Sequence, residues 1–213
     1  NVNMFNLTVD NGGAMTSGGT SNTYMNINGT SLTNNGTIGT ILNDGISFNI
    51  EGTQVVWNGT GVNNVARIRK NATTITTSTL VFNSNVNVTF AGQAIYNNTN
   101  NTGFNVTVNA GKTVNLTATG GILGDFAFDG TDGANANERG GVLIVNGTLN
   151  MTGKLIATTN NTNALFAPSV TINAGGKINC KDVDISIASA GTGFPFTINA
   201  GGRLNVSGKM RMI

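Results

Sequence analysis

The sequence contains no histidine. That absence removes the Ser-His-Asp and Cys-His arrangements of nucleophilic catalysis and every histidine-ligated zinc site. A single cysteine, Cys180, excludes an internal disulfide framework. It lies two residues after Ile178, on the same strand parity, and so reads as a small core-facing residue. Only 20 of 213 residues are charged, and the net charge is +2. No Lys/Arg block is longer than Arg67, Arg69 and Lys70, so the basic stripe that nucleic acid requires is missing. No apolar run approaches the roughly 20 residues that cross a bilayer as a helix. One Trp and two Tyr leave little material for an aromatic-lined groove.

What fills the chain instead is 36 Asn, 31 Thr and 30 Gly. These residues favour turns and strands and are poor in helix interiors, which excludes long helices. Val, Ile, Leu and Phe stand at alternate positions almost throughout, a strand pattern that disordered polar tracts lack. The chain starts at Asn1 rather than Met, which together with the composition reads as an extracellular or cell-surface protein after removal of an N-terminal signal.

Self-similarity sharpens the fold expectation. Val108-Asn-Ala-Gly-Lys-Thr-Val-Asn115 recurs as Ile172-Asn-Ala-Gly-Gly-Lys-Ile-Asn179 and Ile198-Asn-Ala-Gly-Gly-Arg-Leu-Asn205, with a shorter form at Val145-Asn-Gly-Thr-Leu-Asn150. Looser forms start at Val88 and Phe48. Ile172 and Ile198 are 26 residues apart, Val145 and Ile172 are 27 apart, and Val88 and Val108 are 20 apart. Each unit reads as strand, Gly-containing corner, strand. Corners that demand positive φ explain Ala-Gly-Gly and the four Asn-Gly-Thr triplets at Asn28, Asn35, Asn58 and Asn146. One unit cannot bury its apolar face alone, whereas stacked coils bury a continuous column and let Asn and Thr bond in ladders. The expected fold is an all-β parallel β-helix (β-solenoid). The alternative is an antiparallel β-sandwich or jelly roll, in which the same corners become hairpins. In the β-helix, Val145, Ile172 and Ile198, with Leu149, Ile178 and Leu204, point inward.

The hydrophobic-Asn-Ala-Gly-(Gly)-Lys/Arg-hydrophobic-Asn strings over about residues 83–213 resemble the degenerate coils of filamentous-haemagglutinin-like and autotransporter-passenger-like adhesins. That resemblance implies a β-helix at a cell surface. No secretion-domain signature or Arg-Gly-Asp triplet accompanies it, so no secretion route or receptor is implied.

Two segments depart from the repeat. Residues 1–23 read as a strand carrying Phe5, Leu7 and Val9, followed by a flexible Gly/Ser/Thr-rich linker. Residues 24–213 form the single repeat domain, interrupted by a loop insertion at 121–141. That loop holds four of the nine acids, and Asp125, Asp129 and Asp132 in a Gly-rich setting are candidate Ca²⁺ ligands. No other cofactor is expected. Asp182 and Asp184 share one strand face and are the nearest thing to a glycosidase pair, with exposed strand acids as the plainer reading.

Asn-x-Ser/Thr occurs 14 times where about 7 would arise by chance. Strand alternation accounts for Asn87, Asn105, Asn115, Asn150 and Asn205. The remaining candidates for N-glycosylation are Asn6, Asn28, Asn35, Asn58, Asn71, Asn97, Asn100, Asn146 and Asn160.

Together these features point away from catalysis. They favour a structural subunit of an extracellular filament or adhesive layer, a homopolymer assembling head to tail by β-strand complementation. Phe5, Leu7 and Val9 at one end and Met210 and Met212 at the other are the self-assembly candidates, and host or cell-surface glycans are the other candidate partners. A carbohydrate-binding or carbohydrate-cleaving β-helix, tailspike-like or lyase-like, is the alternative, and a trimeric fibre segment a third.

Overall fold

The computed structural model describes residues 2–17, 23–39, 45–71, 75–90, 95–99, 102–118, 124–128, 139–157, 168–185 and 194–212. Every strand pair among them is parallel, which settles the β-helix against the antiparallel sandwich. The chain winds through three sheets in turn. One coil places Arg67–Lys70 in the first sheet, Thr77–Phe82 in the second and Val86–Phe90 in the third. The next repeats the path with Ile95–Asn97, Thr102–Val108 and Thr113–Ala118. Parallel pairing needs a long connection between partners, and here the connection is one whole turn of the coil.

A single column shows how sequence spacing becomes core. Leu7, Leu32, Trp57, Phe82, Val108, Val145, Ile172 and Ile198 stack in register through the second sheet. Neighbours are 25 to 27 residues apart, except that Val108 and Val145 are 37 apart. Leu149, Ile178 and Leu204 form the equivalent column in the third sheet. Trp57 is fully buried, edge-on to Phe48 at 5.7 Å and stacked on Phe82 at 5.6 Å. The expected inward set is therefore found, with one modification. Ile198 is 47% exposed and Leu204 only partly buried, because they belong to the last coil and nothing described lies beyond them.

Several boundaries differ from the sequence reading. Ala14–Met15, placed in a flexible linker, is the third-sheet strand of the first coil and pairs with Thr37–Ile38. Within the expected loop at 121–141, Phe126–Ala127 is a first-sheet strand between Ile95–Asn97 and Lys154–Ala157. Phe126 and Phe128 are buried there with their rings 5.2 Å apart, an anchor that the surrounding glycines and acids obscure in the sequence. The looser repeats also resolve differently. Val88 lies in the third sheet and Phe48 in the first, so their strings turn different corners from Val108, Ile172 and Ile198. The 20-residue spacing is not a coil length.

The corner glycines divide into two kinds. Gly175 and Gly201 have φ of +78° and +87°, the left-handed geometry expected of Ala-Gly-Gly. Of the four Asn-Gly-Thr glycines only Gly59 has positive φ, at +90°. Gly29, Gly36 and Gly147 are required for another reason. A Cβ on each would collide with a carbonyl oxygen of the preceding coil, that of Phe5, Gly13 or Lys112 respectively.

Among the described residues no helix is long and apolar enough to cross a membrane.

Candidate assembly interface

Outside the core, polar ladders run from coil to coil. In the third sheet Asn115 Nδ2 donates to Asn87 Oδ1 at 2.6 Å. Asn150 donates to Asn115 at 2.6 Å, Asn179 to Asn150 at 2.5 Å and Asn205 to Asn179 at 2.7 Å. The corner before that sheet repeats the device. Asn109 donates to Asn83 and Asn83 to Asn58, and, further along, Asn199 to Asn173 and Asn173 to Asn146. An amide suits this task because it offers donor and acceptor at once, so identical residues satisfy one another. Ladders of this kind specify register, since a slip of one residue would turn every Asn inward.

The ladders sort the glycosylation candidates. The Nδ2 atoms of Asn115, Asn150 and Asn205, where a sugar would attach, are committed to ladder bonds, as the alternation argument requires. Asn97 does not survive as a candidate. It is 1% exposed, its Nδ2 donates to the carbonyls of Thr102 and Gly140, and its Oδ1 accepts from Thr99 N and Thr102 Oγ1. It is an internal corner brace, a role the sequence hides because a buried Asn and an exposed one look alike. Asn6, Asn28 and Asn35 are exposed. Asn58, Asn71 and Asn146 are half-buried, and their Oδ1 atoms accept from Asn83, Asn98 and Asn173. Asn100 and Asn160 lie outside the described residues.

Charge is confined to a few lines. Asp125, Lys154, Asp182 and Lys209 follow one another at the start of successive first-sheet strands, an alternating column. Asp125 Oδ1 accepts the Lys154 N–H at 2.7 Å, and Asp182 Oδ1 accepts the Lys209 N–H at 2.6 Å. Burial pushes the Asp125 carboxyl above its ordinary value, opposed by the Lys154 N–H and the Lys154 and Lys181 charges. Asp184 meets Arg211 at 4.0 Å. Asp182 thus stands between Lys154 and Lys209 and Asp184 beside Arg211, as strand-face acids do. Asp129 and Asp132 lie outside the described residues, and no group of three metal-ligating side chains forms among the described ones.

Cys180 is buried, as its parity requires, and Sγ approaches the Asn205 carbonyl oxygen at 3.9 Å. Burial, reinforced by Asp182, pushes its thiol up to about 11. The thiolate that disulfide exchange needs is scarce at neutral pH.

Sequence reasoning missed two features. One is an internal ion pair, Lys70 Nζ to Glu51 Oε2 at 2.8 Å, with both side chains almost fully buried. The other is a cluster of Tyr24, Arg67, Arg69 and Tyr96 on the outer face of the first sheet. Spacing of 25 to 27 residues between the known coils would have been the signal for the second, had the first-sheet strands been located.

The two ends of the solenoid matter most for assembly. The first coil is Val2–Met4, Leu7–Val9 and Ala14–Met15. Leu7 and Val9 are 6% and 7% exposed and pack in the core of their own subunit, the strand bearing them paired with Ser31–Asn34. Phe5, at a corner, is 78% exposed. At the other end Phe196–Ile198, Arg203–Val206 and Met210–Met212 form a coil edge. Met210 and Met212 are 54% and 47% exposed, whereas their partners Val183 and Ile185 are buried.

The fold is a three-sheet parallel β-solenoid whose last described coil, Phe196–Ile198, Arg203–Val206 and Met210–Met212, has no strand paired beyond it among the described residues. No protein-family model, curated protein or solved structure matches the chain.

Proposed function

We propose that this chain is a structural subunit of an extracellular, cell-surface filament or adhesive layer, built by stacking solenoids end to end. The observation that carries the proposal is the edge at Ile198, Met210 and Met212. Its inward side chains are half-exposed, while the same columns one coil earlier, at Ile172, Val183 and Ile185, are buried. Among the described residues such an edge offers backbone groups without a strand partner and apolar area in one place, with Arg203, Lys209 and Arg211 as its charges. The occupant best matched to it is the first coil of another copy. Leu7 of that copy continues the column that ends at Ile198, in a contact that is heterologous and does not close.

The strand count gives the joint its form. Among the described residues the first sheet has nine strands along its path and the third has eight. Setting Leu7–Val9 of the incoming copy over Phe196–Ile198 brings Val2–Met4 onto the rung that Met210–Met212 occupies. Val-Asn-Met and Met-Arg-Met share one apolar-polar-apolar pattern, and Met210–Met212 takes that rung. It then pairs with Thr23–Ile27 of the incoming copy in place of Val2–Met4, strand complementation by the C-terminal strand instead of Phe5–Leu7–Val9. Negative-stain microscopy and sedimentation test this. The chain lacking residues 1–4 should form filaments at least as readily as the full chain, and the chain lacking 209–213 should stay monomeric. Single particles from the full chain at every concentration would overturn the proposal.

N-linked glycans belong to the same reading, led by the exposed corners Asn28 and Asn35, with Asn58 and Asn146 next. Native material should exceed the polypeptide mass by whole glycan units, released by an amidase specific for N-glycans. A native mass equal to the bare chain removes the glycans.

A further inference from the structure

We infer that the outer face of the first sheet carries a binding site for the carboxylate or sulfate oxyanion of an acidic polysaccharide, built from Tyr24, Arg67, Arg69 and Tyr96. Four coils contribute. Tyr24 lies on Thr23–Ile27, Ser47 and Asn49 on Ile46–Ile50, both arginines on Arg67–Lys70, and Tyr96 on Ile95–Asn97. Ser47 is the register partner of both Tyr24 and Arg67, and Arg69 is the partner of Asn49 and Tyr96. Arg67 and Arg69 are two residues apart, so both leave the same face of one strand.

The arrangement is held in place from behind. Arg69 is 8% exposed, and its Nε donates to Asn49 Oδ1 at 2.8 Å. Asn49 in turn donates to Asn26, and Asn26 to Asn3. The Arg69 guanidinium carbon lies 4.7 Å from the centre of the Tyr24 ring. Tyr96, 3% exposed, places its phenol oxygen between the arginines, accepting from Arg67 at 3.3 Å and from Arg69 at 3.4 Å. Tyr24 and Arg67 are half-buried and form the open side.

What the cluster lacks is negative charge. Among the described residues neither guanidinium meets a carboxylate, since the ion pairs there are Lys70 with Glu51 and Arg211 with Asp184. Two like charges share one neutral phenol oxygen, in a setting where desolvation makes their repulsion expensive. Two polar groups in the cluster also have no partner. Arg67 Nε and the Oγ of Ser47, a residue that is 0% exposed, are buried without a hydrogen bond. Guanidinium forks with free N–H donors match carboxylate and sulfate oxygens two at a time. The partly exposed Tyr24 ring beside them offers an edge and face for a sugar ring, which a free inorganic ion would not use.

This site does not depend on end-to-end assembly, and its test can fail separately. Titration calorimetry of the purified protein would compare oligogalacturonate, a heparin oligosaccharide, a neutral glucan oligomer and sodium sulfate. The expected result is salt-sensitive binding of an acidic oligosaccharide, no binding of the neutral glucan, and a loss of at least tenfold in affinity for Arg67→Gln. Arg67→Lys keeps the charge without the fork and should recover only part of that loss, which holds even where Arg67→Gln folds poorly. Tyr24→Ala should weaken the oligosaccharide and leave sulfate unaffected. No binding of any acidic oligosaccharide, or affinity unchanged in both Arg67 variants, overturns the site. Sulfate that binds as tightly as the oligosaccharides assigns the cluster to a free anion and overturns the polysaccharide.

Discussion

Glu51→Ala should lower the unfolding free energy by about 3–5 kcal/mol, one of the largest effects any single substitution can have here. Glu51 and Lys70 sit at the inner corner between the first and second sheets, their side chains 4% and 0% exposed. Oε2 accepts from Lys70 Nζ at 2.8 Å, and Oε1 accepts the Asn71 N–H at 3.1 Å. Removing the carboxylate takes the Glu51 acceptor from a buried ammonium and from the Asn71 N–H. Desolvation then acts on a charge whose pairing with Glu51 is lost. Replacing both partners, Glu51→Leu with Lys70→Met, removes charge together with countercharge and should cost far less than either single change. Urea unfolding of Glu51→Ala, of each single change and of the double variant measures this. A double variant as unstable as Glu51→Ala would mean that the corner depends on shape and not on charge pairing.

Ile198→Lys should abolish filament formation while leaving the subunit folded. At 47% exposure Ile198 tolerates an amine in the single subunit, where the long side chain reaches water. In the stacked joint the same amine is closed under Leu7 of the next copy, with no acid in the column to receive it. A penalty of about 3 kcal/mol per joint raises the critical concentration by roughly two orders of magnitude. Ile172→Lys is the control from one coil deeper. Ile172 is fully buried, so that change should unfold the subunit itself. Sedimentation and circular dichroism separate the two outcomes. Filaments of Ile198→Lys at the normal concentration would place the joint elsewhere. The same monomer allows the Tyr24–Arg67–Arg69–Tyr96 site to be studied without assembly.

The solenoid was legible in the sequence because its period is written in residue types. Ile172 and Ile198, each followed by Asn-Ala-Gly-Gly, mark the same corner one coil apart, and alternation after the corner sets which side chains enter the core. The Asn ladder through Asn87, Asn115, Asn150, Asn179 and Asn205 follows from the same spacing. Composition alone excluded long helices, and the lack of histidine removed whole classes of chemistry.

Tertiary structure decided the rest, for reasons of distance. Asn97 and Asn28 carry the same sequon, yet one braces an internal corner and the other faces solvent, because burial depends on coils that are far away in the chain. Glu51 and Lys70 are 19 residues apart, and nothing local announces that a coil corner joins them inside the core. Tyr24 and Tyr96 are separated by three turns of chain and both meet Arg69 only because parallel register stacks their strands. Sequence periodicity determines that coils stack. Which side chains then become neighbours across several coils depends on the register and corner lengths of every coil between them, and only the folded chain sums these.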